Sequence, residues 1–205
     1  MTFLTFILIA LGAYIIGSFP TGFLIAKALK IDIRSVGSGN IGATNCFRIL
    51  GKKWGATVLI VDILKGVLPI VILNMTGIED PKAYLRVLAA ICVVLGHNYT
   101  CWLNFKGGKG VATSAGALLA LMPLAFGIVI AVFGVIFAVT RYVSAGSLGA
   151  ALALPFIVWF FYGAKPEYYT LLGLVVLLSG LVILRHRANI KRLLNGTENR
   201  VGGKK

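Results

Sequence analysis

Long apolar runs alternate along the whole chain with short segments rich in glycine, hydroxyl, amide and basic side chains. The apolar runs show no strict alternation of polar and apolar residues, so the pattern predicts α-helices rather than the strands of a β-barrel. Several runs approach the roughly 20 residues that carry a straight helix across a bilayer. We therefore expect an all-α fold, a polytopic membrane helix bundle that forms one domain over residues 1–205.

Seven transmembrane helices are expected from the positions of these runs. They are the start of the chain to Ile25, Trp54–Met75, Ala83–Gly96, Val111–Leu121, Leu124–Val139, Leu148–Tyr162 and Tyr168–Leu184. Pro20 and Gly22 should bend or loosen the inner end of the first helix. Met122-Pro123 interrupts an apolar stretch that is too long for one straight span, so we expect two shorter helices there.

Charge places the loops relative to the membrane. The chain is 59% hydrophobic, 13% of its residues are charged, and its mean hydropathy is +0.94. The formal net charge is +14, from 20 basic and 6 acidic residues. In a soluble protein this excess would indicate nucleic acid, but here the basic residues lie between apolar runs, as in the cytoplasmic loops of membrane proteins. We expect membrane lipid and no nucleic acid as a partner, an N-terminus outside and a cytoplasmic C-terminus, with the polar segments on the cytoplasmic side.

Three cysteines, Cys46, Cys92 and Cys101, form no CxxC pair and no Cys/His cluster with the spacing of zinc ligands. The sequence therefore predicts neither a metal site nor a complete disulfide framework.

The first polar segment, Ser35–Arg48, combines glycines with hydroxyl, amide and guanidinium side chains. Glycines let backbone N–H groups turn toward an anion, and an arginine offers a fork that matches phosphate oxygens. A flexible loop with a helix cap is the alternative, although a cap needs only one such residue. The candidate ligands are Gly37, Ser38, Gly39, Asn40, Gly42, Thr44, Asn45 and Arg48.

The second polar segment, Gly96–Thr113, contains the run Gly107-Gly-Lys-Gly110 ahead of an apolar helix. This run resembles a phosphate cradle at a helix N-terminus, where the helix dipole favours an anion. It is not a Walker A loop, because the GxxxxGK[ST] spacing is missing, and an ATPase is therefore disfavoured. Lys106 is either part of this site or a charge that orients the protein in the membrane.

Arg141–Ser147, expected as a loop, and the basic C-terminal tail form the third polar region. His186 and Asn189 in the tail are three residues apart and share one face of a helix. The histidine is a candidate for proton transfer near neutral pH, or else a hydrogen-bonding residue at the membrane interface. Asp62 and Lys65 lie one turn apart inside the second span, where they form a structural ion pair or support the site.

Three of these stretches closely resemble the motif regions of the bacterial PlsY family. They are Ser-Gly-Asn-Ile-Gly-Ala-Thr-Asn at 38–45, Phe-Lys-Gly-Gly-Lys-Gly-Val-Ala-Thr at 105–113 and Arg-His-Arg-Ala-Asn-Ile-Lys-Arg-Leu at 185–193. Members of that family are membrane-embedded acyl-phosphate:glycerol-3-phosphate acyltransferases, and the resemblance covers nearly the whole chain.

The resemblance implies an activity. A fatty acyl group passes from acyl phosphate to the sn-1 hydroxyl of glycerol 3-phosphate, which gives lysophosphatidate and inorganic phosphate. No acyl-CoA, acyl carrier protein, metal or other cofactor is implied. The implied setting is phospholipid biosynthesis at the cytoplasmic face of a bacterial inner membrane.

The resemblance also assigns roles, position by position. The catalytic residues it implies are Ser38, Arg48, Lys109, His186 and Asn189, and the substrate-binding residues are Gly39, Asn40, Thr44, Asn45, Gly107, Gly108, Gly110 and Ser147. One position departs from the pattern, because many relatives have proline near Thr100.

Neither His97 nor His186 has an aspartate at the spacing of the HxxxxD pair that other glycerolipid acyltransferases use. We therefore expect the phosphate of the acyl donor to accept the hydroxyl proton. Side chains of the three motifs, namely Ser38, Thr44, Lys109 and His186, would position the reactants and stabilise negative charge. The alternative function is a membrane transporter of a small phosphorylated anion. It predicts polar residues that reach both faces, whereas the outer halves of the spans are nearly all apolar.

Overall fold

The structure, a computed structural model, describes residues 2–202 and is built from α-helices within that range. The ten α-helices found there are α1 (Phe3–Ser18), α2 (Thr21–Ala28), α3 (Ala43–Ile49), α4 (Lys52–Met75), α5 (Tyr84–Asn98), α6 (Val111–Leu121), α7 (Pro123–Thr140), α8 (Val143–Tyr162), α9 (Tyr168–Arg185) and α10 (Arg187–Leu194). A short 3-10 helix, Cys101–Leu103, follows α5. The expected all-α class is confirmed.

Six stretches within residues 2–202 are long and apolar enough to cross a membrane. They are Phe3–Ala28, Lys52–Met75, Tyr84–Leu103, Pro123–Thr140, Val143–Tyr162 and Tyr168–Arg185. The other expected span, α6, is present as an apolar helix of 11 residues. At 1.5 Å per residue it is about 16 Å long, roughly half of the hydrocarbon core. The apolar runs therefore predicted the helices, and α6 falls short of the length of a full crossing.

The chain divides into two compact units. The first comprises the residues up to Asp80 together with Tyr84–Leu121, and the second comprises Pro81–Ala83 and the residues from Met122 onward. Helices α1 to α6 thus belong to the first unit, and α7 to α10 belong to the second.

Close helix contacts through glycine hold the first unit together. A Cβ on Gly17 or Gly96 would overlap backbone atoms across the contact between α1 and α5. The same is true of Gly66 and Gly116 where α4 meets α6. Small residues are common at helix contacts in membranes, because they let backbones approach closely enough for dispersion contacts. The expected bend at Pro20 is confirmed, since α1 ends at Ser18 and α2 begins at Thr21.

The expected loop at Arg141–Ser147, in the second unit, is wrong. Helix α8 begins at Val143, so most of this segment is helical and Ser147 lies in its second turn. The turn needs only Arg141, which adopts a left-handed conformation with φ of +62°, and Tyr142. Because the turn is only two residues long, the composition of the sequence does not show where it ends and the helix begins. Ser179 Oγ of α9 then donates to the carbonyl of Ala151 in α8 at 2.7 Å.

Large apolar side chains are exposed on the outer faces of the long helices. Examples are Leu8 (61%), Leu64 (57%), Val139 (76%), Phe156 (71%) and Phe160 (73%). Polar side chains such as Asp62, Ser144 and Ser179 are buried instead. An apolar outside with buried polar groups is the pattern of a protein whose solvent is lipid.

Candidate active site

The first polar segment forms a loop and the short helix α3, and Asn45 organises both. Asn45 is 1% exposed. Its Oδ1 accepts the backbone N–H of Ser38 at 2.9 Å, and its Nδ2 donates to the carbonyls of Ile33 at 3.2 Å and Val36 at 3.1 Å. Gly37 has φ of +62°, and a Cβ there would overlap Asn45 Oδ1. Asn45 thus holds the loop that presents Ser38.

Three candidate side chains of this segment are exposed: Ser38, Thr44 and Arg48. Thr44 and Arg48 are one turn apart on α3 and therefore lie on the same face of that helix. A hydroxyl and a guanidinium on one accessible face are suitable donors for phosphate oxygens. Asn45 and Cys46 of the same helix are buried.

The backbone N–H groups of two glycines in this segment do not play the expected role. Gly39 N–H donates to the carbonyl of Val36 at 3.0 Å, and Gly42 N–H donates to Asn40 Oδ1 at 2.8 Å. These donors stabilise the turn itself. These two backbone amides are therefore committed to the fold of the loop.

Two titratable groups, one in this segment and one just before it, have shifted pKa values. The backbone N–H of Arg34, and then its guanidinium, lower the pKa of the exposed Asp32 below its ordinary value. Burial, with a further contribution from the negative charge of Asp62, raises the pKa of the Cys46 thiol to about 11. Cys46 is therefore a neutral core residue at physiological pH and is not a nucleophile.

The second polar segment folds back on the end of α5. Gly107 N–H donates to the carbonyl of Asn98 at 3.1 Å, and Gly108 N–H donates to the carbonyl of His97 at 3.0 Å. Gly110 has φ of +80° and lies against the amide of the fully buried Asn98. The N–H groups of Gly107 and Gly108 therefore hold this segment against the end of α5. Lys109 is half-buried between two buried glycines, two residues before α6 begins.

The third region lies in the second unit, where Glu198 connects its parts. Glu198 Oε1 accepts from Asn189 Nδ2 at 2.7 Å and from Ser144 Oγ at 3.0 Å, while Oε2 pairs with Arg192 Nε at 2.7 Å. The tail therefore folds back on α8. Sequence reasoning did not identify Glu198 as part of the site. The only feature that could have pointed to it is its negative charge within a basic tail.

His186 ends α9 and precedes α10, and it is 3% exposed. Its Nδ1 lies 2.7 Å from the carbonyl oxygen of Val182. Since a carbonyl can only accept, Nδ1 carries the proton, and Nε2 is an acceptor in the neutral ring. Ser147 is buried, and its Oγ donates to the carbonyl of Val143 at 2.9 Å.

The expected pair of charges inside the second span is confirmed. Lys65 Nζ lies 2.8 Å from Asp62 Oδ1, and both side chains are buried in the first unit. His97 lies close by, although the sequence had singled it out only for lacking an aspartate partner. In the part of the chain that the structure describes, no three His, Cys, Asp or Glu side chains converge as metal ligands.

Together these features define an integral membrane protein with two glycine-rich segments and with basic and hydroxyl side chains suited to phosphate. The model of the glycerol-3-phosphate acyltransferase family matches residues 7–196. A glycerol-3-phosphate acyltransferase of Geobacter sulfurreducens is 47% identical over 92% of this chain and 93% of its own length. The enzyme of Clostridioides difficile is 44% identical over 100% of both chains.

Two solved structures of the integral membrane glycerol 3-phosphate acyltransferase PlsY are also similar. The glycerol 3-phosphate form has a TM-score of 0.88 and 38% identity over 96% of both chains. The lysophosphatidic acid form has a TM-score of 0.84 and 37% identity over 96% of this chain and 95% of that one. The chain belongs to the PlsY family of membrane glycerol-3-phosphate acyltransferases and is an enzyme that acylates glycerol 3-phosphate.

Proposed function

We propose that the protein transfers a fatty acyl group from acyl phosphate to the sn-1 hydroxyl of glycerol 3-phosphate. The hydroxyl oxygen attacks the acyl carbon, the bond from that carbon to the phosphate oxygen breaks, and inorganic phosphate leaves with the proton of the hydroxyl. The product is lysophosphatidate, the first intermediate that carries an acyl chain in phospholipid synthesis. The observation that carries the proposal is that the similar PlsY has a glycerol 3-phosphate form and a lysophosphatidic acid form, which differ by one acyl group.

The donor is proposed from the chemistry of the polar segments. Both substrates of this reaction carry a phosphate, and the first unit presents two glycine-rich segments with basic side chains, one with Arg48 and one with Lys109. Arg48 is exposed and shares its helix face with Thr44. Lys109 precedes α6, whose N-terminal dipole favours an anion. A soluble phosphoester and a lipid-borne acyl phosphate suit a protein with an apolar surface and polar loops.

We assign the residues as follows. Arg48 and Lys109 neutralise phosphate charge, and the hydroxyls of Ser38 and Thr44 donate to oxygens that become more negative in the transition state. His186, whose Nδ1 is held by the carbonyl of Val182, orients the reactants together with Asn189, while the phosphate of the donor takes the hydroxyl proton. Gly39, Asn40, Asn45, Gly107, Gly108, Gly110 and Ser147 shape the segments that bind substrate. The whole chain acts as one catalytic unit without a metal or organic cofactor.

We further propose seven crossings, with the N-terminus outside, the C-terminus in the cytoplasm and the active site on the cytoplasmic side of a bacterial inner membrane. Positive charge supports this, since Arg48, Lys109, Arg141 and the basic tail all fall on one side if α6 counts as a short crossing. Labelling of single cysteines, introduced in a cysteine-free background, by an impermeant maleimide in intact cells tests it. Labelling of Lys30→Cys and Gly196→Cys before the cells are lysed would contradict a cytoplasmic location of these loops.

Phosphate release tests the activity. The purified protein in detergent receives palmitoyl phosphate with or without glycerol 3-phosphate. We expect release that depends on glycerol 3-phosphate, forms lysophosphatidate in equal amount and is lost in Ser38→Ala. Ser35→Ala is the matched control, because that hydroxyl donates to the Asp32 carbonyl within the same loop. Absence of release, combined with entry of glycerol 3-phosphate into sealed proteoliposomes, would contradict the proposal and favour transport.

A further inference from the structure

Three ionisable side chains meet inside the membrane-spanning part of the first unit. Asp62 Oδ1 lies 2.8 Å from Lys65 Nζ and 3.7 Å from His97 Nδ1, and the side chains are 4%, 6% and 6% exposed. Burial of charge among membrane helices is costly, and a well-packed apolar pair would avoid this cost. Because such a cluster is costly for stability, we looked for its role in its contacts with neighbouring segments.

Lys65 holds the break between α1 and α2. Its ammonium donates to the carbonyl of Phe19 at 3.0 Å, next to Pro20, which has no N–H to offer the preceding turn. Beyond the break, α2 packs against the first polar segment, since a Cβ on Gly22 would overlap the carbonyl of Ile41. Ile41 lies between Asn40 and Gly42 in that segment. Lys65 thus fixes the helix on which the first segment rests.

His97 supports the second segment. The carbonyl of His97 accepts the N–H of Gly108 at 3.0 Å, and a Cβ on Gly108 would overlap the imidazole at Nε2. The ring therefore lies between Asp62 on one side and Gly108 on the other. Lys109 is the next residue along the chain. The orientation of this ring determines where the loop, and with it Lys109, can lie.

Thr100 connects the chain that follows His97 with the break between α1 and α2. Its hydroxyl donates to the carbonyl of Ser18 at 2.6 Å, so the chain just after His97 is tied to the end of α1. Asp62, Lys65, His97 and Thr100 surround the same small space together with Ser18 and Thr21. The cluster is thus in contact with the supports of both glycine-rich segments.

We propose that Asp62, Lys65 and His97 are positioning residues of the acyl transfer. They hold the two glycine-rich segments in fixed positions relative to each other, so that the side chains of these segments can bind the phosphate group of a substrate. The inference deepens the proposed function and rests on it. The three side chains are buried beneath the segments, so they act through Lys109 and the loop backbone. The phosphate concerned belongs either to glycerol 3-phosphate or to the acyl donor.

A double-mutant cycle between His97 and Gly108 tests the proposal. The variants are His97→Ala, Gly108→Ala and the double variant, and the assay is release of phosphate from palmitoyl phosphate at varied concentrations of each substrate. In Gly108→Ala the new methyl group displaces the ring and the loop, and we expect KM for one substrate to rise about tenfold or more, because displacements near 1 Å cost up to about 100-fold. In the His97→Ala background the methyl group has room, so the same change should raise KM less than about threefold further. The substrate whose KM rises identifies the phosphate.

A conservative variant and a control separate positioning from general stability. The amide nitrogen of His97→Asn can replace Nδ1 toward Asp62, so we expect its KM to lie between those of the wild type and His97→Ala. Ser179→Ala removes a buried hydrogen bond in the second unit and should lower thermal stability without changing either KM. Asp62→Asn, which removes the charge that faces both partners, should show the KM effect of His97→Ala.

Two results would overturn the inference. One is a KM for both substrates within twofold of the wild type in His97→Ala and Gly108→Ala, with only thermal stability reduced. The other is additive effects of the two substitutions, which would mean that ring and glycine do not act on each other. A wild type that acylates glycerol 3-phosphate only from another donor would contradict the proposed donor alone. In that case, KM for glycerol 3-phosphate measured with that donor still decides the positioning role.

Discussion

Glu198 should hold the C-terminal tail of the second unit in place, and Glu198→Ala tests this. Its carboxylate accepts from Asn189 and Ser144 and pairs with Arg192, at 2.7, 3.0 and 2.7 Å. Hydrogen bonds to a charged group contribute about 1.5–3 kcal/mol each. The three do not add fully because they share one carboxylate, and Arg192 is 31% exposed, so solvent screens its pair. We therefore expect a loss of about 3–5 kcal/mol in the free energy of tail opening.

Hydrogen exchange of the α10 amides measures this loss directly. A loss of about 3 kcal/mol or more raises the population of the open tail more than about 100-fold. Glu198→Gln keeps one carbonyl acceptor and should lose roughly half as much. Glu79→Ala is the control, because that acid is exposed and the change in charge is the same. Activity should fall in Glu198→Ala, since Asn189 loses its partner oxygen. Exchange within threefold of the wild type in α10 would refute the assigned role of Glu198.

Three further substitutions or treatments have expected outcomes. Because the pKa of the Cys46 thiol is raised to about 11 by burial, alkylation of Cys46 at pH 8.5 should be roughly 100-fold slower than in denatured protein, and equal rates by mass spectrometry would contradict this. Arg48→Lys keeps the charge but loses the fork, so kcat/KM should fall about tenfold or more, whereas a value near the wild type would exclude bidentate phosphate binding. Gly116→Leu forces a side chain into the backbone of Ile63 and should lower stability by about 1–3 kcal/mol or more in thermal unfolding. The control Gly173→Leu has open space and should unfold like the wild type.

The apolar runs predicted the positions of the helices, but they did not predict the side-chain contacts within the candidate site. Helix α4 spans Lys52–Met75, where the pattern predicted Trp54–Met75, because a continuous apolar run leaves few alternatives to a membrane helix. The helical state of Val143–Ser147 was missed, since the turn before it needs only the left-handed Arg141 and Tyr142. Contacts such as Ser144 with Glu198, which are 54 residues apart, depend on packing and leave no local periodicity.

The glycines illustrate the same limit, since composition alone does not show what their N–H groups bind. A glycine-rich polar segment predicts backbone donors for an anion, yet the N–H groups of Gly39, Gly42, Gly107 and Gly108 all donate to acceptors within the protein. At Gly108 the reason for glycine is space, because a Cβ would overlap His97. Because these four amides hold the loops, the glycine content of the two segments does not by itself mark backbone donors for a phosphate. Alanine substitution at Gly108 should therefore act through the position of Lys109, and its effect should depend on what lies beneath the loop.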